Sequence, residues 1–173
     1  MRRLLSAVAV TGFLLAGVPA ITSAQGLPGL TLFSGVKSEN QLSYRLDFGG
    51  QTRDWDRYRL RIPGKKLKMA VEKFVIAYPD YYDGEFDTGE IEIKVGSKTT
   101  KLAKDEVKWD KQGKVLELYP KEAIPAGKSV ELQLSNTRNP DFPGTFYFNC
   151  LIQSPGDKTA LTRYVGTWII SIN

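Results

Sequence analysis

The densest set of groups able to do chemistry lies in Tyr78-Pro79-Asp80-Tyr81-Tyr82-Asp83-Gly84-Glu85-Phe86-Asp87. Its carboxylates, Asp80, Asp83, Glu85 and Asp87, recur at close intervals. Calcium takes six to eight oxygen ligands, and a loop of this kind supplies several. The EF-hand order Asp-x-Asp-x-Asp-Gly is not met. Asp83-Gly84 is equally a good turn pair, because Asp bonds within its own turn and Gly accepts positive φ. Calcium at Asp80, Asp83, Glu85 and Asp87 therefore stands against solvated acids on a strand connection. Tyr81 and Tyr82, beside those acids, suit stacking on a sugar ring or the centre of a protein contact. Tyr78 and Phe86 are expected to plug the end of the fold.

A second set is basic. Arg57, Arg59 and Arg61 line the wet side of one extended run, and Lys65, Lys66 and Lys68 follow. Such a patch could hold an anionic polysaccharide, lipid headgroups or an acidic partner. The alternative is cross-strand pairing with Glu90, Glu92 or Glu131, each exposed pair being worth only about 0–1 kcal/mol. The supply of opposing acids favours pairing.

Absent groups exclude more. The chain has no histidine and one cysteine, Cys150. Histidine-based triads, His zinc sites, cupredoxin copper and thiolate clusters are ruled out. Paired carboxylates for glycoside hydrolysis need a cleft and a desolvated acid, for which a small domain has little room. The expectation is a protein that is not an enzyme and carries no cofactor, with calcium as the exception to test.

The elements that must position these groups read as strands. Leu42, Tyr44, Leu46 and Phe48 alternate with polar residues, as do Tyr58, Leu60 and Ile62, then Ile91, Ile93 and Val95. The same holds for Val107 and Trp109, for Leu116 and Leu118, and for Val130, Leu132 and Leu134. Successive strand side chains point to opposite faces, so each run has one buried and one wet side. Asp110-Lys111-Gln112-Gly113 predicts a short hairpin, and the Asn139–Gly144 and Ser154–Asp157 tracts predict loops. Between Lys65 and Val75 the spacing of Leu67, Ala70, Val71 and Phe74 fits a one- or two-turn helix. Phe74 to Tyr78 is apolar on both sides, which suits a central strand. Phe146, Phe148, Cys150 and Ile152 share a face, which predicts a buried, inert thiol. Gly166 falls in the row of Tyr164, Trp168, Ile170 and Ile172, where it would admit a neighbouring backbone or ring. Many short strands with regular turns predict an all-β fold, an Ig-like antiparallel β-sandwich.

Location is written at the start of the chain. Met1-Arg2-Arg3, an uncharged apolar run from Leu4 to Val18, and Thr22-Ser23-Ala24 form a secretory signal peptide over residues 1–24. A flexible lead-in over 25–40 and a single domain over 41–173 are expected to follow. No later stretch is apolar enough to span a bilayer. The formal net charge is +5, and Arg2 and Arg3 contribute two of it, so nucleic acid is not an expected partner.

Several motifs occur in a recognisable order: "YRLRIP", "FVIAYPDYYDGEFD", "IPAGKSVELQLSNTRNP", "GTFYFNCLIQSPGD" and "RYVGTWIISI". Together they resemble a family of exported cyanobacterial proteins known only as a domain of unknown function. That resemblance implies export and no activity. A fainter likeness, to the Ig-like periplasmic copper-resistance proteins, extends to architecture alone, since the histidines of the copper chemistry are missing. The sequence thus predicts an exported protein of the periplasm or cell surface with a non-catalytic binding or structural role in the envelope. Its expected partner is an envelope protein or polysaccharide. A calcium-dependent or carbohydrate-binding module is the alternative, and a small glycan-acting enzyme the third.

Overall fold

A computed structural model describes residues 35–157 and 162–173. The expected leader, residues 1–24, and the expected lead-in up to residue 34 lie outside the described residues, as do residues 158–161. Eleven strands follow in order: β1 (Gln41–Leu42), β2 (Tyr44–Leu46), β3 (Trp55–Ile62), β4 (Lys73–Ala77), β5 (Ile91–Val95), β6 (Lys98–Lys101), β7 (Val107–Asp110), β8 (Val115–Leu118), β9 (Val130–Arg138), β10 (Gly144–Gln153) and β11 (Arg163–Ile172). They build a six-stranded sheet, β1-β11-β10-β4-β8-β7, and a five-stranded sheet, β2-β3-β9-β5-β6.

The order β2-β3-β9-β5 opposite β11-β10-β4 is that of an Ig-like sandwich. One sheet carries the first, second, fifth and fourth strands of the pattern, the other the third, sixth and seventh. The departure lies between β5 and β9. There the chain makes the β6 edge, crosses to the other sheet, and lays β7 and β8 alongside β4.

Periodicity accounts for the core. Tyr58, Leu60 and Ile62 of β3 and Leu132 and Leu134 of β9 face Phe74 and Ile76 of β4, Phe146, Phe148 and Cys150 of β10, and Trp168 and Ile170 of β11. The register sets Leu60 opposite Leu132 and Phe148 opposite Trp168. Cys150 is fully buried and unpaired, and burial pushes its thiol well up. Strand β4 is central, as its two-sided apolar run predicts. Its outward Val75 and Ala77 pack with Leu151 and Val115 in a small second cluster.

Two expectations are corrected. No helix forms between Lys65 and Val75. A single 3-10 turn at Gly64–Lys66 is followed by irregular chain. Val71 there exchanges both backbone hydrogen bonds with Ile124, at 2.9 and 2.8 Å. A short helix is costly to nucleate, and burying Leu67, Val71 and Phe74 separately satisfies the same apolar groups. Phe48 does not continue the buried row of β2. The strand ends at Leu46, and Phe48 stands exposed on the connection to β3.

The chain switches sheets at Ser43, pairing β1 in parallel with β11 and then β2 antiparallel with β3. Gly166 permits this approach, because a Cβ there would sit 2.6 Å from the Asn40 carbonyl oxygen and 2.8 Å from Leu42 Cγ. Tyr44 Oη then accepts from the free backbone N–H of Ser171 at 2.9 Å.

Truncating the ring at the centre of the seam, Phe148→Ala, should cost about 3–5 kcal/mol of unfolding free energy in a urea titration. A cost below about 1 kcal/mol would show that the two sheets do not meet there.

Candidate functional site

One end of the sandwich gathers the 78–90 connection between β4 and β5, the 47–54 connection between β2 and β3, the 139–143 connection between β9 and β10, and the β7–β8 turn. Hydrogen bonds tie them together. The backbone N–H of Asp141 donates to Asp83 Oδ1 at 3.2 Å, and that of Arg53 to the Pro140 carbonyl at 3.0 Å. Glu85 and Arg138 exchange backbone bonds of 2.9 and 2.8 Å. Lys114 Nζ in the β7–β8 turn donates to the Tyr82 carbonyl at 3.3 Å.

Beneath this surface lies an aromatic cluster. The Tyr82 ring meets Phe148 edge-on at 4.9 Å and stacks on Phe86 at 5.6 Å between centroids. Phe86 meets Trp109 at 5.3 Å, and Trp109 Nε1 donates to Tyr78 Oη at 2.7 Å. Tyr78 and Phe86 plug the end as expected. Tyr82 must be corrected as a binding-surface residue: it is 1% exposed and belongs to the plug. It alternates with Tyr81 across the chain, so only one of the pair can face water. Burial raises the Tyr82 phenol well above its ordinary value, and burial likewise raises Tyr58.

Tyr81 is the outward member, 62% exposed. It is nonetheless held, with its ring on Phe146 at 5.6 Å and its hydroxyl donating to the Thr145 carbonyl at 3.3 Å. The neighbouring loops expose Phe48 (65%) and Phe142 (70%), and the start of β3 exposes Trp55 (58%). Sequence reasoning missed Trp55 and Phe142. The available signal for Phe142 was an aromatic inside a Pro-Asp-Phe-Pro-Gly turn, where no strand period explains it. Asp56 was missed too. It falls on the inward parity of Tyr58 and Leu60, and it is buried, accepting from the backbone N–H groups of Phe48, Gly50 and Arg57 at 2.9, 2.8 and 2.7 Å.

The acids of the loop are dispersed. Asp80 is exposed, Asp83 binds the Asp141 N–H, and Glu85 lies 3.8 Å from Lys111 Nζ. Asp87 accepts from the Gly89 N–H at 2.9 Å and from Asn136 Nδ2 at 3.4 Å. Among the described residues no three His, Cys, Asp or Glu side chains converge where a cation could sit. Thermal melting should therefore be unmoved by millimolar calcium or EDTA. A calcium shift that disappears in Asp83→Ala and Asp87→Ala would restore the metal reading.

The basic face is a paired lattice. Asp47 receives Arg59 Nε at 2.8 Å, with Arg45 at 3.3 Å and Arg57 at 3.6 Å. Glu131 receives Arg61 Nε at 2.7 Å and Arg59 Nη1 at 3.2 Å. Glu131 was among the expected partners, and Asp47 was not. Burial raises the Glu131 carboxyl, but hydrogen bonds from Arg61 and Arg59 outweigh it and hold the group below its ordinary value. A depressed folded-state value stabilises the fold above the unfolded pKa, about 4.3, and that gain is lost as pH falls through the folded value. Urea midpoints measured from pH 5 to pH 3 should fall less steeply for Glu131→Gln than for the parent. Equal slopes would mean the lattice contributes nothing to acid sensitivity.

Comparison with known proteins finds one sequence family: that described as "Protein of unknown function (DUF2808)" matches residues 30–172. Among curated proteins none matches the chain. Among solved structures, BslA, titled a bacterial hydrophobin, aligns at 16% identity over 76% of this chain and 94% of its own, with a TM-score of 0.49. The collagen-binding domain of a Staphylococcus aureus adhesin aligns at 11% identity over 76% and 95%, with a TM-score of 0.46. An uncharacterized Nocardia farcinica protein, titled as having an immunoglobulin-like fold, aligns at 10% identity over 76% and 97%, with a TM-score of 0.41.

Proposed function

The chain belongs to the DUF2808 family of proteins of unknown function, and from that premise we propose that it is an exported, non-catalytic binding domain of the cell envelope. Its working surface is the aromatic end, with Tyr81 and Phe142 at the centre. The observation that carries this reading is that Tyr81 faces solvent while its ring and hydroxyl are both anchored. An aromatic fixed before contact loses little side-chain freedom on binding, and aromatic residues dominate binding energy at interfaces. Arg53, Arg138 and Asp141 lie beside it, Arg138 donating to Asp141 at 2.7 Å, and give the surface a polar rim.

Export rests on the leader pattern of residues 1–24. The non-catalytic reading draws on the state of the reactive groups. Cys150, Tyr58 and Tyr82 are buried and held protonated, and among the described residues no three of the loop's acids converge on one point. An envelope protein or polysaccharide is the partner this surface would meet.

Tagged protein, expressed with its leader, should capture a partner from native envelope extract. The double variant Tyr81→Ala/Phe142→Ala should weaken capture at least tenfold with a melting temperature within about 2 °C of the parent, since exposed substitutions seldom change stability much. Protease treatment of the extract separates a protein partner from a polysaccharide. Undiminished capture by the double variant, with loss on Arg45→Glu/Arg61→Glu, would move the working surface to the basic face.

A further inference from the structure

The β5–β6 hairpin forms one edge of the five-stranded sheet. Beneath it, facing the connection over residues 120–125, is a cleft of about 300 Å³. Ile93, Leu102 and Ile124 form its floor and are otherwise buried, while Val95 forms a wall. Pro120 and Pro125 bracket the opposite side and stiffen it. The volume is at the lower end of what small-molecule sites use.

The rim has a different chemistry. Register pairs Ile93 with Thr100 and Val95 with Lys98, so Thr100 and Lys98 point to the cleft side of β6. Lys98 makes no ion pair among the described residues. Among the described residues Lys121 on the opposite lip reaches only Glu106, at 4.0 Å. Glu122 lies on the same rim, leaving one net positive charge over an apolar slot. An inward lysine on an edge strand also guards against pairing with another chain. That role explains Lys98, but it leaves the apolar floor unexplained. It also argues against an added peptide strand as the occupant.

We propose that this cleft binds an anionic amphiphile of the fatty-acid type, with the hydrocarbon chain against Ile93, Leu102 and Ile124 and the carboxylate between Lys98 and Lys121. The site is separate from the aromatic end, so it stands whether or not that surface binds a partner.

The test is a titration of methyl-labelled protein with dodecanoate below its micelle concentration, followed by NMR. Saturable shifts are expected at Ile93, Leu102 and Ile124 and not at Leu60 or Ile170 in the central core. Lys98→Glu/Lys121→Glu should weaken binding at least tenfold. Ala123→Trp, at an exposed position on the cleft wall, should abolish it by filling the slot. Dodecyltrimethylammonium, with a comparable tail and opposite charge, should bind at least tenfold more weakly. The absence of saturable shifts at the three residues, equal binding of the cationic amphiphile, or undiminished binding by both variants would each overturn the proposal.

Discussion

The phenol of Tyr58 lies sealed between the two sheets, and a buried hydroxyl without a partner is costly. Its solution organises the aromatic end. Tyr58 Oη donates to Asn139 Oδ1 at 2.7 Å, and Tyr82 Oη donates to Tyr58 Oη at 3.4 Å. Asn139 in turn donates through Nδ2 to the Gln51 carbonyl at 2.7 Å and through its backbone N–H to the Asp54 carbonyl at 2.9 Å. One buried polar atom thus fixes the connections before β3 and after β9 to the core. Asp56 completes the lock from below by gathering three backbone donors. Among the described residues no buried side-chain nitrogen or oxygen lacks a partner.

Two surfaces of opposite character follow. At the aromatic end the buried polar groups are satisfied inside, and four rings, Phe48, Trp55, Tyr81 and Phe142, reach solvent among the exposed acids and arginines of the loops. On the outer side of the five-stranded sheet, charge meets charge. Asp47 and Glu131 absorb the arginines of β2 and β3, leaving few strong donors free there. A guanidinium already bonded to a carboxylate must give that up before it can hold an external anion. The exposed rings have no ion pair to break.

Much of the scaffold was legible because two-residue periodicity is a direct record of burial. Tyr58, Leu60 and Ile62, the Phe146–Ile152 row, the Asp110–Gly113 turn and the close approach at Gly166 could all be read from residue order. The site was harder. Period fails where strands end, so spacing sets Phe48 inside and Tyr82 on the surface, and both are the reverse. Whether a loop aromatic faces water depends on where along β10 it lands, as Tyr81 does at Phe146 and Tyr82 deeper at Phe148. That strand is remote in sequence from the loop. Local spacing around Lys65–Val75 fits a helix, but the same apolar groups are buried without one because Ile124 supplies Val71 with a backbone partner. The pairing of Arg59 with Asp47 needed the β2–β3 register, whereas Glu131 could be guessed from charge alone.

The lone sulfur gives the fold a built-in record of its own integrity. Cys150 is enclosed by both sheets, and its reactivity requires a thiolate that burial suppresses. In a closed molecule under oxidising conditions it can neither cross-link nor be alkylated. A covalent dimer joined through this position therefore records a chain that met its partner while the sandwich was not closed.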